Sequence, residues 1–199
     1  MSNRINYFLI FSTSVLLYSC TTTNISKYYF ENRKTLDSIQ QSYNENSRTR
    51  PFSIQFTDNS FNNVSIEIFT DTLKYIYEFR LTESRMKDTL QKYNLPVSGI
   101  KAIISQMQTI HCTWINNLDY YIDGKKNYLV FMSIRPKLFN TPFTNKKYYI
   151  LTYFQQPQYY DSEGRLLDHR RRKKIRKINE EVFKRITDKV AYSISDRFR

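Results

Sequence analysis

Alternation between residues 64 and 81, broken at the turn and at Ile76, constrains this chain more than any other feature. Val64, Ile66 and Ile68 alternate with Ser65 and Glu67. After Thr70-Asp71-Thr72, the residues Leu73, Tyr75, Tyr77, Phe79 and Leu81 alternate with Lys74, Glu78 and Arg80. A period of two places every apolar side chain on one side of an extended backbone, so the stretch predicts two antiparallel strands over a core. Ile76 falls on the other side and is expected to lie under a further element.

Other strands follow from similar signals. Residues 53–57 and 110–116 are candidates, and Asp123-Gly124 is a turn signal between 120–122 and 128–132. Residues 148–154 are almost continuously apolar, as suits a central strand. A loop over 136–147, containing Pro142, precedes it, and Tyr159-Tyr160, the turn 161–164 and Leu166-Leu167 suggest a small hairpin. Helices are predicted where apolar residues recur every three or four positions. Ile25, Tyr28, Tyr29, Leu36, Ile39 and Tyr43 mark one, followed by a polar loop over 44–51. Met86, Leu90 and Tyr93 mark a second, and Ile100, Ile103, Ile104 and Met107 a third, with Ser98 as its cap. Ile175, Ile178, Val182, Ile186 and Val190 form an amphipathic stripe that predicts a long final helix. The expected fold is α+β: an antiparallel sheet of about five or six strands, helices packed on one face, and a long amphipathic C-terminal helix.

The chain has three glycines, Gly99, Gly124 and Gly164, and they are scattered. Phosphate-cradling loops, dinucleotide fingerprints and strained nucleophile turns need clustered glycines, so those enzyme classes are excluded. There are two cysteines, Cys20 and Cys112. Cys112 stands among Ile110, Trp114 and Ile115, which suits a buried, inert thiol.

The first twenty residues supply an address. Arg4 is followed by an apolar stretch over 5–18, shorter than the roughly 20 residues a spanning helix needs. A charged start, an apolar middle and a small residue near the end have the form of a secretory signal. Leu17-Tyr18-Ser19-Cys20 resembles the lipobox of bacterial lipoproteins, with Tyr18 bulkier than is usual there. The resemblance covers residues 1–20 alone. It implies that Cys20 receives a diacylglyceryl group, that residues 1–19 are removed, and that the new amino terminus is acylated. Stable anchoring takes more than one chain, at about 0.8 kcal/mol per buried methylene, and a modified Cys20 would meet that requirement. The acidic run that resembles a surface-export tag is missing after Cys20, so a periplasm-facing position in the bacterial envelope is expected. Residues 20–52 then read as a tether and N-terminal helix, and 53–199 as a single domain.

The full chain is strongly basic, with a formal net charge of +13. Arg170, Arg171, Arg172, Lys173, Lys174, Arg176 and Lys177 put seven cations into eight positions. At the start of a helix they would crowd its positive end, at about 0.3–1 kcal/mol per exposed charge. A nearby anion would relieve the repulsion: anionic lipid, at about 1 kcal/mol per cation, an acidic envelope glycan, or a partner protein's carboxylates. Nucleic acid matches the charge but not the compartment.

Catalytic signals are weak. His111 and His169 are the only histidines, and His111 is expected to point away from its neighbour Cys112 in a strand. No metal site, cofactor or catalytic set is expected. Asp119 and Asp123 form the one acidic pair worth testing for hydrolysis. The pairs Tyr120-Tyr121, Tyr148-Tyr149 and Tyr159-Tyr160 each put one ring outward, to stack on a sugar or to support a neighbouring strand. Three readings stay open: a non-catalytic binding protein of the envelope, a small envelope hydrolase, and a structural assembly component.

Overall fold

The computed structural model describes residues 3–48, 50–122, 124–134 and 148–195, giving the backbone alone for 3–24 and 122. The chain forms two compact units, Met1–Leu36 and Asp37–Arg199. The described part of the first is helical and belongs to α1 (Asn3–Ser47). Within it Lys27 pairs with Glu31 one turn later, and the Asn32 amide donates to the Tyr28 carbonyl at 2.9 Å. Residues 44–47, expected in a loop, are also helical. Among the described residues no helix is long and apolar enough to cross a membrane.

The second unit is built on strands. They are β1 (Phe52–Phe56), β2 (Asn63–Phe69), β3 (Lys74–Arg80), β4 (Cys112–Ile122), β5 (Lys125–Ile134), β6 (Tyr148–Phe154), β7 (Lys177–Ile178), β8 (Glu181–Val182), β9 (Lys184–Arg185) and β10 (Val190–Ser195). Eight form one antiparallel sheet in the order β3-β2-β1-β4-β5-β6-β10-β9, and β7 and β8 form a separate ribbon. α2 (Arg85–Lys92) and α3 (Val97–Thr109) fill the connection from β3 to β4.

Register assigns each residue a face. Tyr77, Ile66, Ile54, Ile115, Met132, Leu151 and Tyr192 stand in one row across seven strands. Helices cover this face. Tyr43, near the end of α1, packs edge-on to Phe52, with ring centres 5.0 Å apart. Ser38 of α1 and Gln106 of α3 hydrogen-bond at 3.0 Å, which sets the two helices side by side. Gly99 lets α3 approach closely, because a Cβ there would stand 2.8 Å from the Asn46 side-chain oxygen. Ser98 lies inside the first turn of α3, behind Pro96, and makes no cap.

The reverse face changes character along the sheet. Its matching row runs Glu78, Ser65, Gln55, Trp114, Ser133, Ile150, Ser193, from wholly polar to apolar residues alternating with serines. The apolar end is covered by the C-terminal segment, where Leu166, Ile178 and Phe183 pack with Leu129, Phe131, Ile150, Phe154 and Ala191.

That cover corrects the expected fold. The sheet has eight strands rather than five or six, and the described residues hold no long C-terminal helix: 175–190 forms a bridge, three two-residue strands and turns. Every residue of the predicted stripe is β-branched, a type that loses side-chain freedom in a helix. Asn179 and Glu180 adopt φ of 50° and 65°, which ends any helix and makes a tight two-residue turn between β7 and β8. Phe183, off the predicted stripe, is buried together with Ile178 and Val190.

Other expectations fared differently by position. β2 and β3 pair as the alternation requires, with Ile66 opposite Tyr77. Ile76 is 56% exposed rather than covered by a further element. β4 is one strand of 11 residues where two short ones were expected. His111 is not in a strand but in the left-handed region at φ 53°, set edge-on to the Phe61 ring. The loop expected over 136–147 lies outside the described residues.

Candidate functional site

The basic run forms an arch. Leu167 bridges to Ile175, closing a loop of turns, and the Asp168 N–H donates to the Lys174 carbonyl at 2.8 Å. Inside the loop, the Lys174 N–H donates to the Arg171 carbonyl at 2.7 Å. One carboxylate oxygen of Asp168 accepts the N–H groups of Arg170 and Arg171, each at 2.9 Å. These backbone donors, Arg171 first, with Arg176 and Lys174 nearby, hold the Asp168 carboxyl below its usual range. The arch is thus pinned by its one acidic residue.

The cations divide into two sets. Arg172 lies over the Tyr159 ring at 4.1 Å and donates to its hydroxyl at 3.1 Å. Arg176 lies over the Tyr120 ring at 5.4 Å and reaches the Gln158 side-chain oxygen at 3.5 Å. Arg171, Lys173, Lys174 and Lys177 are exposed and form no salt bridge with the described residues. Arg170 is exposed at the same turn. Splaying the run over a loop separates charges that a helix would have stacked at its positive end.

The small hairpin below the arch forms as expected. Tyr160 bridges to Leu166, and Gly164 supplies φ 75° at the turn. Asp161 accepts the Arg165 guanidinium at 2.7 Å and two backbone N–H groups, which hold its carboxyl low, the Arg165 side chain foremost.

The remaining sequence candidates do not converge. Asp119 is exposed and paired with Lys126 at 2.8 Å on the β4–β5 hairpin, and Asp123 lies outside the described residues. Cys112 is fully buried, its thiol donates to the Trp114 carbonyl at 3.4 Å, and burial pushes its pKa up to about 12. His169 lies beside the Tyr159 ring. Among the described residues no three His, Cys, Asp or Glu side chains come together to hold a metal. For Cys20, only the helical backbone is described. Of the aromatic pairs, Tyr121 is 69% exposed while Tyr120 is half-buried, and Tyr149 is buried beside a half-buried Tyr148.

Sequence reasoning missed a cleft on the reverse face. It encloses about 520 Å³ between the sheet and the β7–β8 ribbon, lined by Trp114, Phe131, Ile150, Ile178, Phe183, Ser193 and Ser195, with Asn179, Glu180 and Glu181 at the ribbon turn. Register sets Ser133, Thr152 and Ser193 in a chequer with Phe131, Ile150 and Ala191. The hydroxyls of Ser133, Thr152 and Ser193 have no hydrogen-bond partner among the described residues. A buried hydroxyl without a partner costs about 1–3 kcal/mol. Glu180 and Glu181 form no salt bridge with the described residues. The signal that was present is Asn179-Glu180, since Asn tolerates the left-handed region that such a turn requires.

Glu180 holds that conformation against its preference. Glu180→Gly is expected to raise stability by about 1 kcal/mol. A higher urea midpoint with an unchanged slope is the check.

No family model matches the chain, and comparison with curated proteins and with solved structures finds no match.

Proposed function

We propose that this chain is a lipid-anchored protein of the bacterial envelope that binds without catalysis, through the arch at residues 168–175, to an anionic surface. Cys20 is the attachment residue: its thiol receives a diacylglyceryl group, residues 1–19 are removed, the new amino terminus is acylated, and the domain faces the periplasm. The arch is the observation that carries the reading: it groups Arg170, Arg171, Lys173 and Lys174 on a loop braced by Asp168. Cations grouped on a short, hydrogen-bonded loop reach a charged plane together, and each adds about 1 kcal/mol near an anionic bilayer. Anionic headgroups at the anchored membrane are the nearest such surface; an acidic glycan or a partner's carboxylates would use the same cations. The hydrolytic alternative has less support, because Asp119 is already engaged by Lys126.

Two measurements test this. Cys20→Ser is expected to move the protein from the membrane fraction to the soluble one. Separately, the Cys20→Ser chain should bind vesicles containing phosphatidylglycerol at low salt and release as salt rises. Substituting Arg170, Arg171, Lys173 and Lys174 by Gln should abolish that binding with circular dichroism unchanged. Equal binding by the substituted chain would remove the arch from the reading.

A further inference from the structure

We infer that the cleft between the sheet and the β7–β8 ribbon binds a small amphiphilic cation, an apolar body carrying an ammonium group. The inference is independent of the arch, whose cations call for a ligand of opposite charge. At about 520 Å³ the cleft has the capacity of a small-ligand site, which typically spans about 300–1,000 Å³. Its walls are Trp114, Phe131, Ile150 and Phe183, with the Trp114 and Phe131 rings stacked 6.3 Å apart. Such walls suit a ring or short hydrocarbon, and an indole face attracts a cation as well.

Two polar features select the head group. Ser193 lines the cleft at 2% exposure, and its hydroxyl has no partner among the described residues. A ligand N–H would give that oxygen a donor, and a ligand oxygen would accept its proton. At the mouth stand Glu180 and Glu181, two carboxylates that form no salt bridge with the described residues in a chain of net charge +13. Carboxylates at the mouth of an apolar cleft favour entry of a cation and oppose an anion of the same shape.

The chain has one tryptophan, Trp114, so its emission reports on this cleft directly. The full chain is titrated with three probes of one shape: phenethylamine, neutral 2-phenylethanol and anionic phenylacetate. The expected result is a saturable change in Trp114 emission with phenethylamine, an affinity at least fivefold lower for 2-phenylethanol, and lower again for phenylacetate. Replacing Glu180→Gln and Glu181→Gln together should remove that preference while phenethylamine and 2-phenylethanol converge. Should the double variant fail to fold, the order of the three probes on the unaltered chain still decides. No saturable change with phenethylamine, or a preference below fivefold, overturns the inference.

Discussion

Replacing Phe131 by Ala is expected to destabilise the folded chain by about 3–5 kcal/mol. Phe131 is buried on the reverse face of β5, between Asn116 and Thr152 in register, with its ring stacked on Trp114. It belongs to the cluster that includes Leu166, Ile178 and Phe183 of the C-terminal cover. Removing the ring takes contacts from both layers, and a loop-rich cover has little regular structure with which to close the gap. Phe131→Leu keeps much of the volume and should cost less than about 1.5 kcal/mol. Urea unfolding followed by Trp114 emission measures both. A loss below about 1 kcal/mol for the alanine variant would show that the cover does not pack on β5 there.

Tyr43→Ala should cost about as much, roughly 3–5 kcal/mol, at the other face. Tyr43 is fully buried, its ring meets Phe52, and its hydroxyl donates to the Phe52 carbonyl, with the Asn117 side-chain oxygen 3.2 Å away. One side chain therefore joins the end of α1 to β1 and β4. Tyr43→Phe separates the two contributions: it keeps the ring and removes the donor, for about 1–3 kcal/mol. Burial pushes the phenol far above its ordinary pKa, so it stays protonated at neutral and mildly alkaline pH. The stability difference between the unaltered chain and Tyr43→Phe should accordingly be flat between neutral and mildly alkaline pH. A difference that grows with pH within that range would mean that the hydroxyl ionises more readily in the folded chain than in the unfolded one.

Where period and burial coincide, the sequence was readable. Val64, Ile66 and Ile68 carry a period of two because one face of β2 meets helices, and Ile100, Ile103, Ile104 and Met107 are buried on α3 at helical spacing. The C-terminal third was not readable in the same way. Ile175, Ile178, Val182, Ile186 and Val190 fall at helical intervals, yet each serves a different turn or strand, so their spacing reflects no single face. A short strand of two residues carries no period at all. The basic run was visible as charge, but its shape depends on one bridge, Leu167 to Ile175, and on Asp168 accepting two backbone donors. The cleft was invisible because its wall residues come from β4, β5, β6, the ribbon and β10, and only register brings them together.

The order of strands also sets a timetable for the newborn chain. β6 receives one neighbour, β5, at once, but its other neighbour is β10, made only after residues 155–189. Until Val190–Ser195 emerges, the edge of β6 has bare peptide groups, and Phe131, Ile150 and Phe154 lack the anchored cover that shields them. Such an edge recruits any extended segment within reach. Ribosome stalling or premature termination just short of Val190 would thus release a sticky fragment rather than a slightly shorter protein.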